Sequence, residues 1–179
     1  MRSTEFRRLL LVTLATLMLP QATRGFASDH PTAAIAAPRL HVKDLRGHTL
    51  DLAELTRHGP VVLDFWATWC APCVEALPEF EALHRRYKDR GLTVIGISVD
   101  GPRNFSRVRP FTTGMGITYP IVLDADGGLQ QRFHVLAVPT AFLIDTTGAI
   151  VLTKVAYRPG EAKAFEDSVR ARLPAVVQP

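Results

Sequence analysis

The run Val61-Val62-Leu63-Asp64-Phe65-Trp66 is the feature that most constrains this chain. It has the length of a β-strand and almost no polar alternation, so such a strand must be covered on both faces. That requirement points to a sheet with helices on either side and argues against an open sheet with one wet face. Its single polar residue, Asp64, is costly in such a place unless the carboxyl is paired, neutral or used.

The surrounding pattern agrees. Arg39 to Asp44 and His48 to Leu52 flank Leu45-Arg46-Gly47 and read as a small hairpin turning at the glycine. Pro72 to Arg90 is helical in pattern, with Leu77, Phe80, Leu83 and Tyr87 on one face, Pro78 inside it as a source of kinking, and Gly91 as its C-terminal cap. Leu92 to Val99 reads as a second buried strand, Asn104 to Met115 as a helix interrupted by Pro110, and Tyr119 to Leu123 as a short strand. A short helix over Gly128 to His134 follows, then strands over Thr140 to Ile144 and Ala149 to Val155 around the turn Asp145-Thr146-Thr147-Gly148. Phe165, Val169 and Leu173 give a last helix one apolar face. Together these elements predict a three-layer α/β domain with a mixed sheet.

The 179 residues carry a formal net charge of +4, which would suggest an anionic partner if it were spread over the fold. It is not spread. Residues 1–27 hold Arg2, Arg7, Arg8 and Arg24 against Glu5, leaving 17 basic and 16 acidic side chains on the remaining 152 residues. A nearly neutral body without a basic block is no nucleic-acid binder. The first segment runs from Arg7-Arg8 through the apolar stretch Leu9 to Leu19 to Gly25-Phe26-Ala27, the layout of a secretory signal cut after Ala27. A retained anchor in the inner membrane is the alternative, although the apolar stretch is short for crossing ~30 Å of hydrocarbon. Residues 28–38, with two prolines and little to bury, read as a linker, and residues 39–175 as the folded domain.

Both cysteines of the chain fall in Trp69-Cys70-Ala71-Pro72-Cys73, after a buried strand and at the start of a helix. Free N–H groups and the helix dipole favour an anion there, so Cys70 should ionise more readily than a free thiol, and Cys73 lies one turn on, close enough to pair with it. Pro72 suits a first helical turn, where its missing donor costs nothing. A structural zinc site would need two further ligands, yet there is no other Cys, and His30, His41, His48, His58, His84 and His134 are scattered. A purely structural bridge closing so short a loop would restrict the unfolded chain very little. Redox chemistry is the remaining use, with no metal and no cofactor beyond the Cys70, Cys73 pair itself.

Asp64 to Cys73 resembles the active-site segment of the thioredoxin superfamily. The hairpin at Leu45-Arg46-Gly47, Thr68 before Trp-Cys, Pro78, Ser98-Val99-Asp100, Val138-Pro139-Thr140 and Phe142-Leu143-Ile144-Asp145 resemble its exported TlpA/ResA-like branch. The resemblance implies a thioredoxin-like fold, a central mixed β-sheet flanked by helices with an N-terminal β-hairpin and a central insertion, and thiol-disulfide exchange as the activity. By the same resemblance Cys70 is the attacking, partly exposed thiol and Cys73 the resolving one. Pro139 matches the family's cis-proline, and Val138 before it offers backbone groups to an extended substrate. Trp69 matches the ring beside the thiols, and with Pro72 it belongs to the substrate-facing surface, unless it simply packs against the domain. Thioredoxin has an Asp six residues before its first Cys that accepts the buried thiol's proton, and Asp64 matches that spacing. Members of the exported branch often have Asn there and a Glu three residues after the second Cys, a position that is Ala76 here, with Glu75 one residue away. Asp64 is therefore expected to handle the proton and Glu75 to be a solvated helix residue, the alternative for Asp64 being a polar residue satisfied by hydrogen bonds under the sheet.

The motif sets the reaction but not its direction. Potentials in the superfamily run from about −270 mV for thioredoxin to about −120 mV for a dedicated oxidant. Ala71-Pro72 resembles thioredoxin's Gly-Pro more than the His-containing dipeptides of the oxidants, so a periplasmic reductant is expected, working as a monomer. A reductant outside the cytoplasm must be recharged, which implies a membrane thiol-disulfide electron donor as partner. The protein disulfide substrates that the resemblance suggests are Cys pairs of apocytochromes c or of copper-site proteins. A copper-binding metallochaperone is the alternative, although thioredoxin-fold examples use a Cys-x3-Cys pair with a distant His. A peroxidase would need a Thr three residues before the reactive Cys, where this chain has Ala67.

Overall fold

A computed structural model describes residues 35–156 and 161–175. The expected signal over residues 1–27 and most of the linker lie outside the described residues. A six-stranded sheet runs through the centre, built from β1 (Ile35–Ala36), β4 (Val61–Trp66), β5 (Thr93–Ser98), β6 (Ile121–Leu123), β7 (Thr140–Ile144) and β8 (Ala149–Val155), in the order β1-β8-β7-β4-β5-β6. The middle strands β4, β5 and β6 are parallel, while β7 runs against β4, β8 against β7 and β1 against β8. This is the mixed sheet expected. The separate hairpin pairs β2 (His41–Lys43) with β3 (Thr49–Asp51), and Gly47 turns it at a φ of 87°.

All six residues of β4 are buried, because helices cover both sides of the sheet. Successive side chains of a strand point to opposite faces. Val62 and Trp66 join one apolar cluster, with Leu77, Phe80, Leu83 and Tyr87 of α2 (Ala71–Tyr87), Val108 of α3 (Phe105–Gly114) and Phe165 and Val169 of α5 (Ala162–Arg170). Val61, Leu63 and Phe65 join the other, with Leu52 of α1 (Leu52–Leu55) and Leu129 of α4 (Gly128–Arg132). The chain from α3 to β6 is the central insertion, and it extends the sheet beyond β5. α2 continues across Pro78 as one helix from Ala71 to Tyr87. It passes through a short 3-10 turn, Lys88–Arg90, and stops at Gly91, whose φ of 91° fits the expected cap. Gly91 also packs on the backbone before β4, since a Cβ there would lie 2.4 Å from the His58 carbonyl oxygen.

Two elements differ from the sequence reading. The segment read as a linker contributes β1 at Ile35–Ala36, so the sheet starts a few residues ahead of Arg39. Leu52 does not end the hairpin but opens α1, whose N-terminus is capped by the side chain of Asp51 accepting from Glu54 N–H.

Candidate active site

The loop between β4 and α2 carries Cys70 and Cys73, which are joined by a disulfide with their Cα atoms 5.2 Å apart. Cys70 is the N-cap of α2. Its Sγ accepts from the Cys73 N–H at 3.3 Å and its carbonyl from Val74 N–H, so the sulfur sits where the helix presents unpaired donors. Pro72 is exposed in the first turn. The two sulfur residues differ in access: Cys70 is 6% exposed and Cys73 only 1%. Cys70, expected to be partly exposed, is thus largely enclosed by its surroundings, yet it remains the more approachable of the two.

A buried carboxylate holds the loop in place. Asp100, at the end of β5, accepts from Thr68 N–H at 3.0 Å, from the Thr68 hydroxyl at 2.5 Å and from the Ser98 hydroxyl at 2.8 Å. Because Trp66 O also accepts from Val99 N–H, the chain leaving β4 is tied to the chain leaving β5 by backbone and side chain together. Thr68 and Asp100 stood in the sequence only as parts of a resemblance. Their contact spans 32 residues, and no local pattern announces it.

The peptide between Val138 and Pro139 is cis. Pro139 is buried and leads directly into β7, where Thr140 pairs with Phe65 of β4. Trp69 is 65% exposed, so it does not pack into the domain. Two exposed apolar side chains that the sequence reading passed over lie on the segments flanking Pro139: Leu136, three residues before it, and Val155, which pairs with Thr140. Their exposure comes from loop placement and the strand's end, to which hydrophobic periodicity is blind.

Asp64 shares a sheet face with Val62 and Trp66, the face on which Cys70, Cys73 and α2 pack. It is 1% exposed, and neither carboxylate oxygen has a hydrogen-bond partner among the described residues. Burial alone pushes its pKa up to about 8, so the carboxyl is mostly neutral at pH 7. The alternative of a satisfied polar residue under the sheet does not describe it. Glu75 is exposed on α2, and Ala76 rather than a carboxylate occupies the buried position beside it. Among the described residues no three His, Cys, Asp or Glu side chains converge as metal ligands would, and no helix is long and apolar enough to cross a membrane.

Residues 34–153 match the AhpC/TSA family. Over 143 residues the chain is 34% identical to the thiol-disulfide oxidoreductase ResA of Geobacillus kaustophilus, covering 79% of this chain and 80% of that one. It is 29% identical over 151 residues to sporulation thiol-disulfide oxidoreductase A of Bacillus subtilis, covering 83% and 90%. Among solved structures it resembles a thiol:disulfide interchange protein of the thioredoxin family from Chlorobium tepidum, with a TM-score of 0.68, 25% identity and coverage of 79% and 97%. StoA from Bacillus subtilis superimposes with a TM-score of 0.62 at 26% identity, covering 73% and 95%.

Proposed function

Because the chain belongs to the AhpC/TSA family, and within it to the ResA-like thiol-disulfide oxidoreductases, we propose that it is an exported enzyme that reduces disulfides in other proteins. The observation that carries this reading is the Cys70–Cys73 disulfide at the start of α2 with an unpartnered, buried Asp64 on the same face of the sheet.

In the reduced protein the Cys70 thiolate, favoured by the helix N-terminus, attacks one sulfur of the substrate disulfide. A mixed disulfide forms, and the substrate's other sulfur leaves as a thiolate that takes a proton from water. Cys73 then gives its proton to ionised Asp64 and attacks the Cys70 Sγ. The substrate's second sulfur departs as a thiolate that takes a proton from water, and two electrons have passed to the substrate while Cys70–Cys73 closes. Trp69, Pro72 and the Val138–Pro139 backbone frame the approach to Cys70, with Leu136 and Val155 widening the apolar rim that a substrate segment would meet.

The direction rests on Ala71-Pro72, and the site of action, the periplasm or the outer face of the inner membrane, rests on the basic, apolar and small pattern of residues 1–27. Such a reductant draws its electrons from a membrane thiol-disulfide donor and, by resemblance, delivers them to Cys pairs of apocytochromes c or copper-site proteins. A Cys73→Ala strain should accumulate mixed disulfides whose partners, identified by mass, are exported Cys-pair proteins. A reduction potential well above about −180 mV, the value of a disulfide isomerase, would contradict the reductant assignment. Tight stoichiometric Cu(I) binding with no disulfide reduction would contradict the activity.

A further inference from the structure

Asp64 sits in a row across the sheet, with Gly96 beside it on β5, Ala141 on β7 and Lys154 beyond that on β8. Gly96 gives the carboxyl no neighbouring side chain of its own. The space is taken from elsewhere: a Cβ at Gly96 would meet Trp66 Nε1 at 3.1 Å, Tyr119 Cε2 at 3.1 Å and Ile121 Cδ1 at 2.7 Å. The indole of Trp66 and the phenol ring of Tyr119 thus close around the position next to Asp64.

Several buried polar atoms around this position have no hydrogen-bond partner among the described residues: both Asp64 oxygens, Trp66 Nε1, the Tyr119 hydroxyl and Nδ1 of His84, whose ring packs against Tyr119. Orphaned polar groups in a core are rare because each loses its hydration without return. Tyr119 is also firmly placed. Thr118 before it donates its N–H to Glu81 Oε2 at 2.7 Å and its hydroxyl to Glu81 Oε1 at 2.6 Å, and Pro120 after it accepts from Gly96 N–H at 2.9 Å.

We propose that Tyr119 is a positioning residue for the reaction, its hydroxyl held ready, together with Trp66 Nε1, to donate to Asp64 whenever that carboxyl is ionised. The inference rests on the reading of Asp64 as proton acceptor for Cys73. To accept a proton Asp64 must first be charged, and burial makes that form scarce at neutral pH. Donors that act on the charged form alone raise its share. Tyr119 is suited to this, since burial first, then Asp64 and Glu81, suppress its own ionisation and keep the hydroxyl proton in place.

Other charged groups face this region. Arg46 of the hairpin turn and Arg109 of α3 line a pocket with Tyr119 and donate to the carbonyls of Thr118 and Leu45, respectively. From α2, Glu81 is engaged by Thr118 and Arg85, and His84 packs its ring edge against Tyr119 at 6.0 Å between centroids. Burial holds His84 toward its neutral form. Beyond β5, Asp100 is committed to Thr68 and Ser98, and from β8 Lys154 pairs with Glu161 at 3.1 Å.

The test is a pH titration of the Asp64 carboxyl in the oxidised protein, followed by its infrared carbonyl band. It is paired with the rate at which Cys73 resolves a preformed mixed disulfide on Cys70. In Tyr119→Phe the carboxyl midpoint should rise by about half a pH unit or more, and resolution at pH 7 should slow by about threefold, the same shift expressed as a rate. Replacing Tyr119 by 3-fluorotyrosine, a stronger donor of the same shape, should move the midpoint the other way and guards against a folding defect in the first variant. Unchanged midpoints in both would overturn the role of Tyr119. If Asp64→Asn leaves the resolution profile unchanged, the proton-acceptor reading of Asp64 fails instead, and the carboxyl titration still decides whether Tyr119 acts on it.

Discussion

A carboxyl with no hydrogen-bond partner among the described residues, set in an otherwise apolar and fully buried strand, is a liability that ought to be visible in stability. Asp64 titrates near 3.8 when exposed and near 8 when folded. The folded protein therefore holds a proton that the unfolded chain has released throughout that window. Stability supplied by the neutral form is complete below about pH 4 and is lost as pH rises toward 8, at about 1.4 kcal/mol per pH unit in between. Urea unfolding of the oxidised protein should show this decline in the wild type, and Asp64→Asn should flatten it, so that the variant is the more stable protein at pH 8. Parallel curves for the two proteins would show that Asp64 is not held neutral by the fold. Asp100 is the opposite case, equally buried but accepting three hydrogen bonds from side chains and backbone of its neighbours. Asp100→Ala should cost about 2–4 kcal/mol in chemical denaturation, because it strands Thr68 and Ser98 without their acceptor.

At the scale of elements, α2 is anchored at both ends. Its start is fixed by the tie between Thr68 and Asp100, its end by Gly91, which combines a φ of 91° with contact against the His58 carbonyl. Gly91→Ala suffers from both, and a loss of about 2 kcal/mol or more is expected from thermal or urea unfolding. The middle of the molecule was legible in the sequence for a physical reason. β4, β5 and β7 are runs buried along almost their whole length, and Gly91, Gly47 and Gly148 sit where positive φ demands them. β1 was not legible, because two residues carry no period, and their pairing with Ile150 and Ala149 is decided by the partner strand. α1 is a single capped turn whose Asp51 also belongs to β3, so the local pattern favoured the strand alone. At the site, the Cys pair and Asp64 stand out by chemistry in an otherwise apolar setting. Tyr119 does not, since a tyrosine two residues ahead of a short strand gives no sign that its hydroxyl will be buried without a partner among the described residues.

As a whole molecule the protein joins a redox pair to a nearly neutral domain, with most of its net charge in the first 27 residues. A reductant must prefer its disulfide form, just as strong oxidants of this superfamily are stabilised in their dithiol form. The oxidised protein should accordingly unfold at higher denaturant than the reduced one, and the reverse order would mark it as an oxidant. If Cys70 attacks a substrate disulfide and Cys73 resolves the product, reduction of a model protein disulfide by the wild type, Cys70→Ala and Cys73→Ala, with the adducts weighed, shows it most directly. The pre-reduced wild type should reduce its equivalent of substrate disulfide with no lasting adduct, Cys73→Ala should stop as a mixed disulfide on Cys70, and Cys70→Ala should form no adduct and reduce nothing. Sustained reduction by Cys70→Ala, or a Cys73→Ala protein that consumes peroxide but never captures a disulfide, would contradict it.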